Sequence, residues 1–185
     1  MRYGYKGLHA AGTSQLGYGR KLQRAFLALL LALVAGLTGG PAVADELSLL
    51  VNGKALHLGA PEDKHLNEKN WGLGLQYDWD PKDSKWIPFA TASGFIDSNK
   101  NPSYYAGGGA LRRFELGSLH ADLGGIGFLM VRKDFKNDRP FPGVLPVISV
   151  GTQSVALNIT YIPKVEPKAV PLWFFQLKIK LMEFR

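Results

Sequence analysis

The sequence predicts an all-β protein, an eight-stranded antiparallel transmembrane β-barrel, and three observations lead to this fold. After residue 44, apolar residues alternate with small or polar ones at a period of two, as in strands whose faces meet different surroundings. No ten-residue stretch of that region has a helical stripe of apolar residues. Large aromatic residues stand at the ends of the apolar faces, where membrane barrels place their two aromatic girdles.

The first 44 residues are expected to be a cleaved signal peptide. Basic residues precede an apolar run at 25–38, and Ala42-Val43-Ala44 forms an A-x-A cleavage site before Asp45. The run has 14 residues, whereas a membrane-spanning helix needs about 20, so an uncleaved anchor is the less favoured alternative. The expected organisation is a signal peptide at 1–44 and one barrel domain at 45–185. The long basic stretch leaves open a translation start after Met1.

Eight strands are predicted in the barrel domain, separated by turn clusters rich in Pro, Asn, Asp and Lys. The second strand is the clearest, because its odd positions from Trp71 to Trp79 are apolar and its even positions are small or polar. The seventh and eighth strands show the same alternation, which Leu172 and Phe174 interrupt. Sharing the domain among eight strands leaves about 18 residues for each strand and its connection, enough for the 9–11 that span a membrane. The predicted strands are 47–58, 70–79, 86–96, 104–115, 119–132, 145–151, 153–162 and 172–182.

The aromatic residues favour a membrane barrel over a soluble one. Trp71 and Trp79 stand at the two ends of one apolar face, Trp173 and Phe175 begin another, and Tyr161 ends a third. A soluble, lipocalin-like barrel is the alternative, and it would bury these rings in its core beneath a polar exterior. Placement at both ends of the strands is typical of interfacial girdles.

Composition excludes several functional classes. The chain has no Cys and four His, so thiol catalysis, disulfides and cysteine metal sites are impossible. We expect neither a metal nor an organic cofactor. Five of the 22 Lys and Arg residues lie in the first 44 residues, which contain no acidic residue, so the net charge of +7 belongs mostly to the signal peptide. No nucleic-acid partner is expected.

Glycines inside the strand patterns permit two interpretations. Because eight-stranded barrels are normally filled by their own side chains, glycines such as Gly107, Gly108 and Gly109 could open a ligand pocket. They could equally serve only the curvature of the barrel. Gly107–Gly109 lacks the spacing and lysine of a phosphate-binding loop.

Several motifs together resemble the PagP-type lipid A palmitoyltransferases of Gram-negative outer membranes. The specific part is the Leu-Pro run within 142–151 followed by Thr-Tyr-Ile-Pro at 160–163. Asn67-Glu68 with the Trp-Gly stretch at 71–74, the Phe-x-Asp-Ser turn at 95–98 and the glycines at 106–109 also match. The resemblance covers roughly residues 53–181.

The resemblance implies an enzyme of the outer membrane, exported by its signal peptide and expected to be a monomer. It would transfer a palmitoyl chain from the sn-1 position of a glycerophospholipid to a hydroxyl of lipid A, without a cofactor. The implied catalytic residues are His57, Asp97 and Ser98, with His65 as the alternative histidine. Ser98 is either the nucleophile or a support for the oxyanion.

The resemblance also implies substrate-binding residues. Gly109 would form the floor of an internal acyl-chain pocket, where a larger side chain would shorten the chain accepted. Pro146 and Pro163 would weaken a strand pair and open a lateral lipid gate, because proline donates no ladder hydrogen bond.

The sequence departs from the family in two places. His57 comes only twelve positions after Asp45, which is too few for an amphipathic helix before the first strand, and Asn70 replaces a proline, which casts doubt on a second lateral opening. Two alternative functions stay open. One is a passive or lipid-binding barrel in which Asp97 and Ser98 are ordinary turn residues, and the other is a lipid esterase of the same fold.

Overall fold

The computed structural model describes residues 45–61, 63–79, 84–133, 135–164 and 169–184. They form a closed barrel in which each strand pairs antiparallel with the next and the last closes onto the first. The predicted signal peptide lies outside the described residues. The strands are β1 (Asp45–His57), β2 (Lys69–Asp78), β3 (Trp86–Ile96), β4 (Pro102–Leu116), β5 (Leu119–Arg132), β6 (Phe141–Gly151), β7 (Val155–Ile162) and β8 (Leu172–Phe184).

The predicted eight-stranded antiparallel barrel is therefore confirmed, and all predicted strand limits but one lie within two residues of the observed ones. The start of β6 is the exception, because it begins at Phe141 rather than at residue 145. Phe141 pairs with Met130 of β5, so the strand continues through Pro142 and Gly143. Proline interrupts a ladder only where its nitrogen should donate, and this part of β6 pairs with β5 alone among the described strands.

The outer surface of the barrel is apolar between two belts of aromatic residues. We call the end where β1 finishes and β2 begins the upper rim. Trp71 is 63% exposed near this rim, and Trp79 and Trp86 are exposed at the opposite end. Exposed aliphatic side chains lie between the belts, including Leu73, Leu123, Leu129, Val150, Leu157 and Leu177. A soluble barrel would have a polar exterior, so this surface supports the membrane alternative.

No helix in the described ranges is long and apolar enough to cross a membrane.

The middle of the barrel interior is closely packed. Phe89, Leu111, Ile126 and Val147 form a buried apolar cluster, and the partly buried Tyr105, Phe128 and Leu145 pack against it. This cluster separates the upper part of the interior from the lower part.

The lower interior contains buried charges that neutralise one another. Lys178 Nζ lies 2.5 Å from Asp78 Oδ2 and 3.3 Å from Glu46 Oε1. Arg113 donates two hydrogen bonds of 3.0 Å, from Nε and Nη2, to the two carboxylate oxygens of Asp122. Burying a charge is costly unless it is paired and hydrogen-bonded, and these contacts meet that requirement.

The strand glycines allow neighbouring backbones to approach closely. A Cβ atom on Gly109 would collide with the carbonyl oxygen of Gly125 on β5, and one on Gly124 would collide with that of Ala110. Close approach of the strands is thus a reason for glycine at these positions in addition to the pocket and the curvature considered from the sequence.

Candidate active site

His57 and Ser98 meet at the upper rim of the barrel. The Nε2 atom of His57 lies 2.9 Å from the Oγ atom of Ser98, a hydrogen-bonding distance. The two residues are 41 positions apart in the sequence. His57 is the last residue of β1, and Ser98 lies in the turn that follows β3. The fold thus brings together a base and a hydroxyl that the sequence shows only as separate residues.

A β-bulge in β1 turns His57 toward the barrel interior. Below the bulge, even positions such as Leu50 and Asn52 are fully buried. The register of β1 against both neighbours then shifts after Asn52. Above the shift the odd positions are buried instead, so Ala55 is 1% exposed and the side chain of His57 is 4% exposed. A bulge reverses which residues face inward, and strict alternation through β1 would have pointed His57 outward.

The carboxylate of Asp97 organises the turn that carries Ser98. Oδ1 accepts hydrogen bonds from the backbone N–H groups of Asn99 and Asn101, at 2.8 and 3.0 Å. Oδ2 accepts hydrogen bonds from Ser103 Oγ at 3.1 Å and from Arg132 Nε and Nη2 at 3.0 and 2.9 Å. Asp97 is 3% exposed, so its charge depends on these donors. Its hydrogen bonds run to the turn, to β4 and to β5 rather than to His57.

Asn67 fixes the chain before β2 to the same turn. Its backbone N–H donates to the Ser98 carbonyl at 2.8 Å, and its side-chain Nδ2 donates to the Asp97 carbonyl at 3.0 Å. The following residue is also fixed, because the Ala55 N–H donates to the Glu68 carbonyl at 2.9 Å. The segment Asn67-Glu68 therefore links the strand that carries His57 to the turn that carries Ser98.

Burial makes His57 a neutral imidazole over a wider pH range than usual. Removal from water lowers the pKa of His57, and the nearby carboxylate of Glu68 raises it by a smaller amount. His57 is the last residue of β1, at the upper rim, and lies beyond the end of the β1–β2 ladder and above the level of Trp71. A lowered pKa keeps this ring in the form that can accept a proton.

The alternative histidine is placed differently. His65 is exposed on the connection between β1 and β2, whereas His57 contacts Ser98. Of the two candidates, only His57 has an observed hydrogen bond to the predicted serine among the described residues.

Aromatic rings pack against one another between the rim and the central cluster. Phe95 packs against Phe174 with ring centroids 5.3 Å apart and against Tyr105 at 6.3 Å. Phe128 lies 6.1 Å from Tyr105. Gly109 lies below them, paired with Phe89 of β3 and Ile126 of β5, at the level of the central cluster.

Pro146 and Pro163 lie on either side of an incomplete strand pair. The β6–β7 ladder runs from Gly151↔Ala156 up to Val147↔Thr160, and Pro146 is the next residue of β6. Pro163 directly follows the end of β7. In the described chain, β6 and β7 have no ladder pairs above Val147, so the barrel wall has fewer hydrogen bonds here than elsewhere.

At the second suspected opening, a hydrogen bond from the Asn70 side chain joins β2 to β3 beyond the end of their ladder. The β2–β3 ladder reaches Gly72↔Phe95, and above it Asn70 Nδ2 donates to the Ile96 carbonyl at 2.8 Å. Proline could not make this bond, so the wall is more tightly joined than the family pattern implies.

Sequence reasoning missed the supporting residues. Arg132 and Asn67 hold the Asp97-Ser98 turn, yet they are distant from it in sequence and belong to no recognised catalytic pattern. Asn67 stood in a matched motif, which was the available signal. The bulge in β1 was signalled only by Gly53, since glycine inside a strand often marks one.

The arrangement suits acyl transfer. A buried neutral imidazole at hydrogen-bonding distance from a hydroxyl, above an apolar interior, can move a proton during ester chemistry. In the described part of the chain, no three acidic or histidine side chains are grouped so that they could hold a metal ion.

Comparison with known protein families gives one match that covers most of the barrel. The family model described as "Antimicrobial peptide resistance and lipid A acylation protein PagP" matches residues 49–177. This range contains every site residue predicted from the sequence.

Two curated relatives carry the name "Lipid A acyltransferase PagP". That of Bordetella pertussis is 36% identical over 104 residues, which are 54% of this chain and 55% of the relative. That of Methylobacillus flagellatus is 31% identical over 99 residues, 52% of each protein. The chain therefore spans about half the length of the curated relatives it matches.

Solved structures include Ail, the attachment invasion locus protein of Yersinia pestis. Ail is 12% identical and has a TM-score of 0.43, over 76% of this chain and 98% of its own. Neisserial surface protein A is 15% identical with a TM-score of 0.41, over 77% of this chain and 99% of its own. Because both TM-scores are below 0.5, these structures contribute nothing to the family assignment, which rests on the sequence match.

Proposed function

The chain belongs to the PagP family of lipid A acylation proteins, and with this premise we propose that it is an outer-membrane acyltransferase. It transfers a palmitoyl chain from the sn-1 position of a glycerophospholipid to a hydroxyl of lipid A. The products are a lysophospholipid and a lipid A with one additional acyl chain. The observation that carries the proposal is the 2.9 Å contact between His57 Nε2 and Ser98 Oγ above an apolar interior.

In this proposal His57 is the general base and general acid of the reaction. It accepts a proton from the attacking hydroxyl as the new oxygen–carbon bond forms at the donor ester carbonyl. The tetrahedral oxyanion then collapses, the bond to the glycerol oxygen breaks, and His57 returns the proton to that oxygen. The ring ends neutral, so one turnover consumes no oxidant, reductant or cofactor.

Ser98 has two possible roles that differ in a measurable way. As the nucleophile it forms an acyl-enzyme, which the lipid A hydroxyl then attacks through the same base. As an oxyanion donor it never becomes acylated. A mass spectrum of the protein quenched during turnover separates them, because only the first role produces a chain heavier by one acyl group.

The acyl chain occupies the aromatic-lined upper interior, with Gly109 at its floor. The lipid reaches this space through the incomplete β6–β7 wall beside Pro146 and Pro163. The lateral path is supported by the register of the strands, since a wall with fewer ladder bonds costs less to part. The signal peptide at 1–44 directs export, and the apolar exterior with two aromatic belts supports the outer-membrane location.

Expression in a Gram-negative host lacking such a transferase tests the proposal. The mass spectrum of lipid A should gain one palmitoyl group with the wild-type chain and lose it with His57→Ala or Ser98→Ala. His65→Ala is the matched control, because it removes an exposed histidine from the same connection, and it should retain the modification.

Other outcomes select the other functions. Release of free fatty acid without modified lipid A would indicate a lipid esterase. Unmodified lipid A and no fatty acid release, with the barrel folded in the outer membrane, would indicate a passive or lipid-binding barrel.

A further inference from the structure

We propose that Glu68, rather than Asp97, is the carboxylate that orients His57. This inference rests on the proposed acyl transfer and adds to it a positioning residue. The Nδ1 atom of His57 lies 4.0 Å from Glu68 Oε1, on the ring edge opposite the contact with Ser98. The order of groups across the rim is thus hydroxyl, imidazole and carboxylate.

The second nitrogen of His57 needs a partner. Nδ1 is buried and has no hydrogen bond among the described residues. An unsatisfied buried polar atom costs about 1–3 kcal/mol, and structures rarely leave one without a reason. The Glu68 side chain is 45% exposed, so it has room to rotate toward Nδ1.

The backbone of Glu68 is fixed beside both reacting residues. Its carbonyl accepts the Ala55 N–H at 2.9 Å, two residues before His57. The preceding residue, Asn67, binds the carbonyls of Ser98 and Asp97. The position of Glu68 relative to His57 and Ser98 is therefore set by three hydrogen bonds, two between backbone groups and one from the Asn67 side chain, and the Glu68 side chain supplies only the last adjustment.

Asp97 is already fully engaged. A carboxylate offers about four lone-pair positions, and Asp97 accepts five hydrogen bonds from the turn, Ser103 and Arg132. It has no remaining capacity for the imidazole. The exposed cation Lys54 lies 3.9 Å from Oε2 of Glu68, whereas Oε1 is the oxygen 4.0 Å from Nδ1 of the ring.

A carboxylate at Nδ1 has two effects on the base. It holds the proton on Nδ1, which leaves Nε2 free to accept the proton of the hydroxyl. It also stabilises the imidazolium that forms when Nε2 takes that proton. Glu68 touches neither substrate nor the reacting atoms in this assignment, so it acts through His57.

The test compares Glu68→Gln, Glu68→Asp and the matched control Glu115→Gln, an exposed glutamate at the end of β4. Purified protein in detergent micelles is assayed with a palmitoyl phospholipid donor and lipid A across a range of pH. Glu68→Gln should lower kcat by about 10- to 100-fold with little change in KM. This is less than the ~10⁴-fold effect of removing a fully buried orienting carboxylate, because Glu68 is partly solvated.

The pH profile distinguishes positioning from a structural role. Loss of the Glu68 charge should move the acid limb of the kcat profile to lower pH, since the carboxylate raises the pKa of His57. Glu68→Asp should have a kcat and an acid limb between those of Glu68→Gln and the wild type. Glu115→Gln should have the kcat and the pH profile of the wild type. Wild-type kcat and an unmoved limb in Glu68→Gln would overturn the assignment, as would equal losses in the Gln and Asp variants.

Failure of this inference differs from failure of the proposed function. If the wild type transfers no acyl group, the function fails, whereas an active wild type with an indifferent Glu68→Gln rejects only the role of Glu68. If Glu68→Gln does not fold, nitrogen NMR of His57 in the wild type decides. A neutral ring protonated on Nδ1 supports the assignment, and one protonated on Nε2 rejects it.

Discussion

Replacing Asp97 with asparagine should slow acyl transfer by disordering the turn that carries Ser98, while the barrel stays folded. The amide keeps one acceptor oxygen and turns the other atom into a donor. That donor faces either the backbone N–H groups of the turn or the side chains of Ser103 and Arg132. Either orientation brings donors together and removes the negative charge that pairs with the Arg132 guanidinium.

The size of the effect follows from these contacts. Hydrogen bonds to a charged group are worth about 1.5–3 kcal/mol and neutral ones about 0.5–1.5 kcal/mol, so each affected bond loses roughly 1 kcal/mol. Asp97 accepts five bonds, but Arg132 is 27% exposed on its side chain and water replaces part of the loss. A net cost of about 2–3 kcal/mol corresponds to at most about 30- to 140-fold in the population of the ordered turn. The rate should fall within that ceiling.

The assay measures kcat of Asp97→Asn, Arg132→Gln and the double variant in detergent micelles, with heat-modifiable gel migration as the control for folding. Both single variants should lose activity to a similar extent, and the double variant should be little worse, because both changes break one contact. A loss of more than about 1,000-fold in Asp97→Asn, with wild-type activity in Arg132→Gln, would refute this reasoning. That result would mean that Asp97 acts on His57 directly, as orienting carboxylates do at a cost near 10⁴-fold.

Three further predictions concern the wall, the interior and the base. A double variant with Pro146→Cys and Tyr161→Cys places two cysteines at the next positions in the β6–β7 register, and the chain has no other Cys to interfere. It should lose acylation when the disulfide forms and regain it on reduction. Activity unaffected by oxidation of a verified disulfide would place the lipid path elsewhere. Lys178→Met should destabilise the barrel by about 3–5 kcal/mol and lower its unfolding midpoint in urea. Adding Asp78→Asn should restore most of the lost stability. An unchanged midpoint in Lys178→Met would contradict the stabilising ion pair between Lys178 and Asp78. Burial lowers the pKa of His57 from the ordinary value of 6.5, and the base acts when neutral. The kcat should therefore rise with pH and reach its plateau at a lower pH than an ordinary histidine would give. An acid limb above pH 6.5 would contradict the role of His57 as the base.

The fold was largely predictable because a membrane barrel imposes one simple pattern. Lipid requires apolar side chains at alternate positions of each strand. The length of the barrel domain is also sufficient for eight membrane-spanning strands and their connections. The start of β6 was not predictable, because Pro142 and Gly143 are turn formers in sequence. They are tolerable within a strand because, among the described residues, β7 offers them no partner at this level. Such information lies in the pairing of strands rather than in any local stretch.

The motifs predicted a set of candidate site residues but not their arrangement. His57, Asp97 and Ser98 were predicted together, and the structure brings His57 and Ser98 into contact. Asp97 binds Arg132 instead of the imidazole, and that contact depends on β3 and β5 being brought together at the rim. The inward direction of His57 depends on the bulge after Asn52, which shifts a period-two pattern that sequence alone extrapolates without interruption.

The two halves of the interior argue for an enzyme rather than a pore. Below the central cluster, Lys178 bonds Asp78 and Arg113 bonds Asp122, so the described charges satisfy one another across the barrel. Above it, Gln176 donates to the Tyr105 hydroxyl at 3.1 Å and to Asn52 Oδ1 at 2.6 Å, which ties β8 to β4 and β1. An ion or polar solute would have to break these bonds and displace the apolar cluster to pass through. A lipid chain entering from the upper wall would meet the aromatic rings and these polar side chains before that barrier. The interior is therefore suited to hold a chain of limited length while its ester lies at the rim, beside His57.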